Sequence, residues 1–388
     1  MAQRSIYFAY VVPLTFSGQS AASEILIEGL KGLGWNCSRI PIYPLDRAIT
    51  GRGERYLRFL FKMTRTWASF LGLIFKRNAI LHLNLGQSLA SFARVGLPFA
   101  LLRLIRPELK VVTSLHGSIF MEWHKGSLVT RIFLGYLAAS QAITVLGESQ
   151  RRKLLELGVP EAKIKVIQNT CEVELTLDAS VRKKHQNDSI IRLLYLSLLI
   201  ESKGYPEFLE ALEYLANMPL TFRIEAVLCG PMSFTNYCRR FDDEKSKKFW
   251  IHEKLSAINK RGDSRVRVEW IRGAAGADKQ ALFDQAEIFV FPTQFPVEAQ
   301  PLVLLEAMAS GCAIITTDVG EIPSTVDASI ATIETDPTAK NLAEHIVALA
   351  ESPEERLKRG LSGLHRMRDE YSVAKHLERW QRLLETLN

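Results

Sequence analysis

Two doubly wound α/β domains, each a parallel sheet wrapped by helices, are the fold class that this sequence predicts. Three observations carry the expectation. Short apolar runs alternate with longer amphipathic stretches along most of the chain, the pattern of strand–helix–strand units. A polar segment from Asp178 to Ser189, containing Arg182, Lys183 and Lys184, interrupts that alternation, reads as a linker, and is followed by a fresh start of the same pattern. At 388 residues the chain also exceeds what one ordinary core serves. The expected division is residues 1–187 and residues 188–371.

In the first half, Ser5 to Val12, Ile80 to Leu85, Val111 to Leu115, Ala142 to Leu146 and Lys165 to Ile167 read as strands, being short and apolar. The second half continues with Ile191 to Leu199, Phe222 to Leu228, Arg265 to Trp270, Glu287 to Phe291 and Ala313 to Thr316. A last helical pattern, Ser372 to Leu387, follows the end of the second sheet, so residues 372–388 are expected to return to the first domain. No short repeat is present.

Composition bounds the function. The chain is 47% hydrophobic and 23% charged, which is ordinary for a globular protein. Arginines or lysines interrupt every apolar run before it could cross a bilayer, and the N-terminal MAQRSIYFAYVVPLTFSG lacks the long apolar stretch of a secretion signal. A cytoplasmic location is the expectation. Cys37, Cys171, Cys229, Cys238 and Cys312 are odd in number and scattered without C-x-x-C spacing, which indicates neither a disulfide framework nor a zinc site. The net charge of +7 is uneven, because residues 1–189 hold 25 basic against 13 acidic side chains. The basic half calls for an anionic partner.

The most informative segment is FPTQFPVEAQPLVLLEAMASGCAIITTDV, Phe291 to Val319. Glu298 and Glu306 flank a Pro301 that can open a helix, with an apolar strand on either side of the pair. In a parallel sheet such a loop lies at the carboxyl edge of the strands, where a helix N-terminus offers free N–H groups to an anion. Carboxylates there accept hydroxyl groups. The combination suits a ligand with both phosphates and hydroxyls, such as a sugar nucleotide. Taken singly, Glu298 reads more readily as a first-turn acid and Glu306 as a solvated helix residue; it is the pair that points to a ligand.

Other candidates lie at strand ends. Gly18, in PLTFSGQS, would let backbone approach a substrate closely, as any tight strand-to-helix turn also could. Lys203-Gly204, in IESKGYPEFLEAL, stands above a strand at the start of a helix, where a lysine neutralises a diphosphate as a point charge. His116, in SLHGS, is placed for a hydrogen bond to a hydroxyl or for proton transfer, or for a local backbone partner. From Gly51 to Arg77, basic residues including Arg58, Lys62 and Arg65 interleave with Leu57, Phe61, Trp67 and Phe70. That pattern suits an interfacial helix on anionic lipid, with Arg58, Lys62, Trp67 and Phe70 as contacts, and equally a core helix with a basic outer face. Leu97 to Arg106 has the same character. No nucleic-acid module accompanies the charge.

Together these pieces resemble the retaining glycosyltransferases of the GT-B fold, family four (group 1 type). EAQPLVLLEAMASGCAIITTDVG is similar to that family's two-glutamate signature, GVPEAKIKVIQNT to the stretch ending its first domain, and VRVEWIRGAAGADKQALFDQAEIFVFPT to the segment leading into the signature. The resemblance implies two Rossmann-like domains facing a cleft, and sugar transfer from a nucleoside diphosphate to a hydroxyl with retention, without a cofactor or metal. It implies that Glu306 binds ribose hydroxyls, Gly273 lies near the base, and Glu298 with the amides around Gln300, Pro301 and Leu302 holds the sugar and phosphates. Lys203, beside Gly204, would hold the diphosphate, His116 the transferred sugar, and Gly18 the turn near donor and acceptor. Two departures stand out: Leu198 occupies a position where the family usually has an arginine, and Ser17 stands where a second glycine is common. If the basic domain touches the inner membrane leaflet, the acceptor is expected to be a lipid-linked, polyprenyl-type saccharide of surface polysaccharide synthesis. A sugar-nucleotide epimerase or hydrolase, or a non-catalytic membrane-attached binding protein, are the rival readings.

Overall fold

The computed structural model describes residues 5–12, 18–43, 52–76, 78–186, 189–235, 237–260 and 265–387. The chain divides into two compact units, Met1–Cys171 with Val373–Asn388, and Glu172–Ser372. The first unit holds strands β1 (Ser5–Val11), β2 (Asn36–Ile42), β3 (Ala79–Asn84), β4 (Lys110–Ser114), β5 (Ala142–Val145) and β6 (Ile164–Val166). They form one parallel sheet in the order β2-β1-β3-β4-β5-β6. Its strands are apolar on both faces because both are covered. On one side Ile6, Phe8, Ile80 and Val112 pack against Leu26 and Leu30 of helix Gly18–Gly32 and against Trp380 and Leu384. On the other, Leu81, Leu83 and Val111 pack against Phe70, Phe92, Phe99 and Phe133. The helix Val373–Thr386 therefore completes the core of the first unit, as its amphipathic pattern predicts.

The second unit holds β7 (Ile190–Leu196), β8 (Arg223–Cys229), β9 (Val266–Ile271), β10 (Ile288–Phe291), β11 (Ala313–Thr317) and β12 (Ala331–Glu334). Its parallel order is β12-β11-β10-β7-β8-β9, so the chain first winds outward from β7 through β9, then returns to the far side of β7 at β10. The strand order reverses between β7 and β10. Such a reversal opens a crevice outside the carboxyl ends of the two strands.

Three expectations need correction. Asp178 to Ser189 is not a plain linker: Asp178–Lys184 is a helix of the second unit, with Val181 fully buried and Lys184 Nζ donating to the Ser310 carbonyl at 2.6 Å. The boundary accordingly falls at 171/172 rather than 187/188. Strands β2 and β12 escape the hydrophobic pattern because both are sheet edges; Arg39 and Pro41 break the apolar run in NCSRIPI, and an edge strand tolerates proline. Of the turn expected over PLTFSGQS, Pro13 to Ser20, residues 13–17 lie outside the described residues. Among the described residues, no helix is long and apolar enough to cross a membrane.

Candidate functional site

Two loops leave the crevice of the second sheet, residues 197–204 after β7 and residues 292–301 after β10. They are stitched together. Gln294 N donates to the Ser202 carbonyl at 2.7 Å, and Tyr195 OH to the Lys203 carbonyl at 2.9 Å. Gly204, which ends the short turn Glu201–Lys203 and precedes helix Tyr205–Leu215, has φ +85°, and a Cβ there would lie 2.2 Å from the Pro292 carbonyl oxygen. No side chain fits at that closeness.

This stitching brings Lys203 and Glu298 into direct contact. Lys203 Nζ lies 2.9 Å from Glu298 Oε2 and over the rings of Phe295 and Phe291, at 5.0 and 5.8 Å from their centroids. The aromatic faces hold the ammonium where the carboxylate meets it. Gly320, at φ +63°, supports the same loop from behind, since a Cβ there would meet the Glu298 carbonyl oxygen at 2.2 Å.

Pro301, at φ −67°, immediately precedes helix Leu302–Ala309, whose first N–H groups have no partner within the helix. Gln300 is buried, and its side chain donates to Thr325 Oγ1 at 3.1 Å, so it ties down the approach to that helix. Glu306 stands in the fifth helical position and is only 4% exposed. Its partner is Lys279, at 2.7 Å, from helix Gly276–Gln285. Burial raises the Glu306 pKa, and the Lys279 ammonium pulls it back. Lys279 was not marked by any motif; the signal for it was the general need of a buried acid for a cation. Gly273 is exposed just past β9, with φ +154°.

The remaining candidates belong to the first unit. Gly18 itself opens helix Gly18–Gly32. His116 follows β4 and lines a small enclosed cavity with Ser23, His82, Ser114, Asn169 and His376. His82 Nε2 bonds Ser114 Oγ at 2.7 Å, Ser114 Oγ bonds Thr144 Oγ1 at 2.6 Å, and His376 Nδ1 bonds the Gln168 carbonyl at 2.8 Å. Burial lowers the pKa of His116 to about 4, helped by the nearby His376, while Asn169 opposes the shift. Burial likewise lowers His82 to about 3 and His376 to about 4. His116 is therefore a neutral imidazole at pH 7, suited to hydrogen bonding. Gln87, unmarked in the sequence, braces the loop beyond it by donating to the Gly117 carbonyl at 2.8 Å and accepting from Phe120 N at 3.0 Å.

The basic, aromatic stretch is a helix, Arg52–Leu71, which packs beside helix Leu89–Ile105. Two of its expected membrane contacts are corrected. Phe70 is fully buried in the core, and Trp67 is half-buried with its indole N–H donating to the Arg94 carbonyl at 2.9 Å. Periodicity alone did not separate the two faces. The outward apolar side chains are Leu57, Leu60 and Phe61, the last 72% exposed, with Leu97, Leu101 and Leu104 on the neighbouring helix. Arg58 is exposed, and Lys62 lies 5.7 Å from the Tyr43 ring centroid.

Two doubly wound units, the second with an ion-paired lysine and a helix N-terminus at its strand-order reversal, define the architecture of the GT-B glycosyltransferases. Over 99% of its length the chain matches HepE of Anabaena in complex with UDP and glucose, covering 100% of that chain with a TM-score of 0.69 and 14% identity. It matches sucrose-phosphate synthase from Thermosynechococcus elongatus over 99% of both chains, with a TM-score of 0.70 and 16% identity. Within this fold, residues 178–363 match the glycosyl transferases group 1 family. Among curated proteins, alpha-maltose-1-phosphate synthase of Mycolicibacterium smegmatis is 30% identical over 134 residues, which span 31% of this chain and 33% of that relative's length.

Proposed function

We propose that this protein transfers a sugar from a nucleoside diphosphate to a hydroxyl of a saccharide acceptor, with retention at the anomeric carbon. The observation that carries the reading is the Lys203–Glu298 pair, 2.9 Å apart at the strand-order reversal and beside the helix N-terminus at Leu302. As the bond from the anomeric carbon to the diphosphate oxygen breaks, negative charge accumulates on the leaving phosphate. Lys203 and the N–H groups after Pro301 stabilise that charge, a contribution worth about 3 kcal/mol of the barrier for one well-placed donor. Glu298 accepts sugar hydroxyls and Glu306 the ribose hydroxyls, and Gly273 lies near the base; neutral His116, in the first unit, is suited to hydrogen-bond a hydroxyl. The acceptor oxygen forms the new bond on the face the phosphate leaves, and the phosphate takes the acceptor proton. Lys203 contributes positive charge to this scheme, which we read as metal-independent.

A lipid-linked acceptor is supported by the outward apolar side chains Leu57, Leu60 and Phe61 and by the 25 basic residues among the first 189. A cationic, apolar face suits the inner surface of an anionic membrane, where polyprenyl-linked saccharides for surface polysaccharide are built. HepE, in complex with UDP and glucose, makes UDP-glucose the first donor to test. The protein is incubated with UDP-, GDP- and ADP-sugars, with and without polyprenyl diphosphate saccharides, and the products are resolved by mass and by anomeric NMR. Acceptor-dependent formation of an axial or equatorial linkage that matches the donor supports the reading. Free sugar or an epimer formed equally without acceptor overturns it.

A further inference from the structure

The lysine of the candidate diphosphate site is already neutralised. Lys203 and Glu298 form a salt bridge of 2.9 Å with both side chains largely buried, so the pair presents little net charge to an anion. A diphosphate is multiply charged, and a carboxylate beside it repels it unless a second cation is present. The end of β7 supplies none, because Leu198 is apolar.

The loop after β8 reaches this place. Leu199 N donates to the Pro231 carbonyl at 3.0 Å, and Ser233 N to the Leu199 carbonyl at 3.4 Å, so residues 231–233 run alongside the segment that leads to Lys203. Glu201, two residues before Lys203 and 9% exposed, accepts the backbone N–H groups of Arg239 and Arg240 on Oε2 at 2.7 and 2.6 Å. The ring of Tyr237 meets Phe295 edge-on at 4.8 Å, and Phe295 is the ring beneath the Lys203 ammonium. The loop is thus anchored on both sides of the lysine.

Most cations in the vicinity are engaged. Lys247 is fully buried and donates to the carbonyls of Leu199 and Ser233. Arg240 pairs with Glu210 at 2.5 Å and covers Trp250 at 4.5 Å. Arg272 covers Trp270 at 5.2 Å, and Lys279 holds Glu306. Arg239 is exposed, and among the described residues its guanidinium has neither carboxylate nor hydrogen-bond partner.

We propose that Arg239, held on the loop after β8 by the Glu201 carboxylate, is the second cation of the diphosphate site. The inference rests on the sugar-nucleotide reading above. Its fork of N–H donors suits two phosphate oxygens at once, which an ammonium cannot match. Glu201 is then a positioning residue, holding the backbone from which Arg239 reaches.

Calorimetric titration of the full-length protein with UDP, GDP and ADP, and with UMP, GMP and AMP, tests this. Whichever diphosphate binds, Arg239→Gln is expected to weaken it about tenfold or more, the loss of a charge-assisted bond, and the matching monophosphate much less. Arg239→Lys, which keeps the charge without the fork, is expected to fall between. The wild-type thermal midpoint, retained in both variants, shows that the loop still folds. Diphosphate affinity unchanged in Arg239→Gln, or lost equally for mono- and diphosphate, overturns the role of Arg239 and leaves the sugar-nucleotide reading standing. A wild-type protein that binds none of the nucleotides ends that reading and this inference with it.

Discussion

Removing Lys279 probes the least obvious part of the site. Glu306 is 4% exposed with Lys279 Nζ 2.7 Å away, and Lys279→Met would leave its carboxylate buried without a cation. The cheapest response is protonation. From the ordinary value of 4.5, keeping that proton at pH 7 costs about 3.4 kcal/mol, which matches the loss of about 3–5 kcal/mol seen when one partner of a buried pair is removed. Native Lys279→Met then carries a proton that the unfolded chain lacks, so the variant loses stability as pH rises. The penalty is expected to be about 3 kcal/mol at pH 7 and to shrink by about 1.4 kcal/mol per unit toward pH 5. At pH 7 that is a fall of roughly 6–12 °C in the melting temperature of a unit this size. Urea titrations at pH 5, 6 and 7 read it directly. Lys279→Met combined with Glu306→Gln should recover most of the loss and abolish its pH dependence. A penalty below about 1 kcal/mol, or one constant across pH, would refute the argument that burial and one lysine set the state of Glu306.

Lys203→Met is expected to reduce kcat/KM by about a hundredfold or more in the glycosyl-transfer assay; a change under threefold would remove the lysine from charge stabilisation. On helix Arg52–Leu71, Leu57→Ser with Phe61→Asp should release the protein from anionic liposomes in a sedimentation assay while leaving its melting curve in place. Phe70→Ala should instead lower stability by about 3–5 kcal/mol in urea, because Phe70 is fully buried. Acidification should loosen the first unit: His376, held near 4 against an unfolded value of 6.5, contributes stability that is complete above pH 6.5 and is lost as pH falls toward 4. At pH 5 the loss is about 2 kcal/mol for this histidine, and hydrogen exchange in helix Val373–Thr386 should report it, with His376→Gln showing a flatter profile.

Much of this arrangement was legible in the sequence for definite reasons. Buried parallel strands such as Ile288–Phe291 are apolar throughout, and the spacing of Glu298, Pro301 and Glu306 maps onto loop, helix start and second helical turn without further information. What stayed hidden depends on contacts between distant segments. Lys279 looks like any helix lysine until Glu306 is placed beside it, and Arg239 has no motif around it. Edge strands β2 and β12 carry a broken pattern because one side of each is unpaired. Trp67 and Phe70 looked like interfacial aromatics because hydrophobic spacing shows that a helix has an apolar stripe, not which partner covers it.

The helix Val373–Thr386 has a consequence for biosynthesis. Trp380, Leu383 and Leu384 fill a layer under Ile6, Phe8 and Val112, yet the ribosome makes them only after the whole of the second unit. The second unit, residues 172–372, is continuous in the chain and has all its strands and helices before those residues emerge. The domain translated first is therefore finished after the second, and its earliest strands wait with one hydrophobic face open until residues 373–386 have been made. A chain cut after residue 372 would lose the cover of its own first strands.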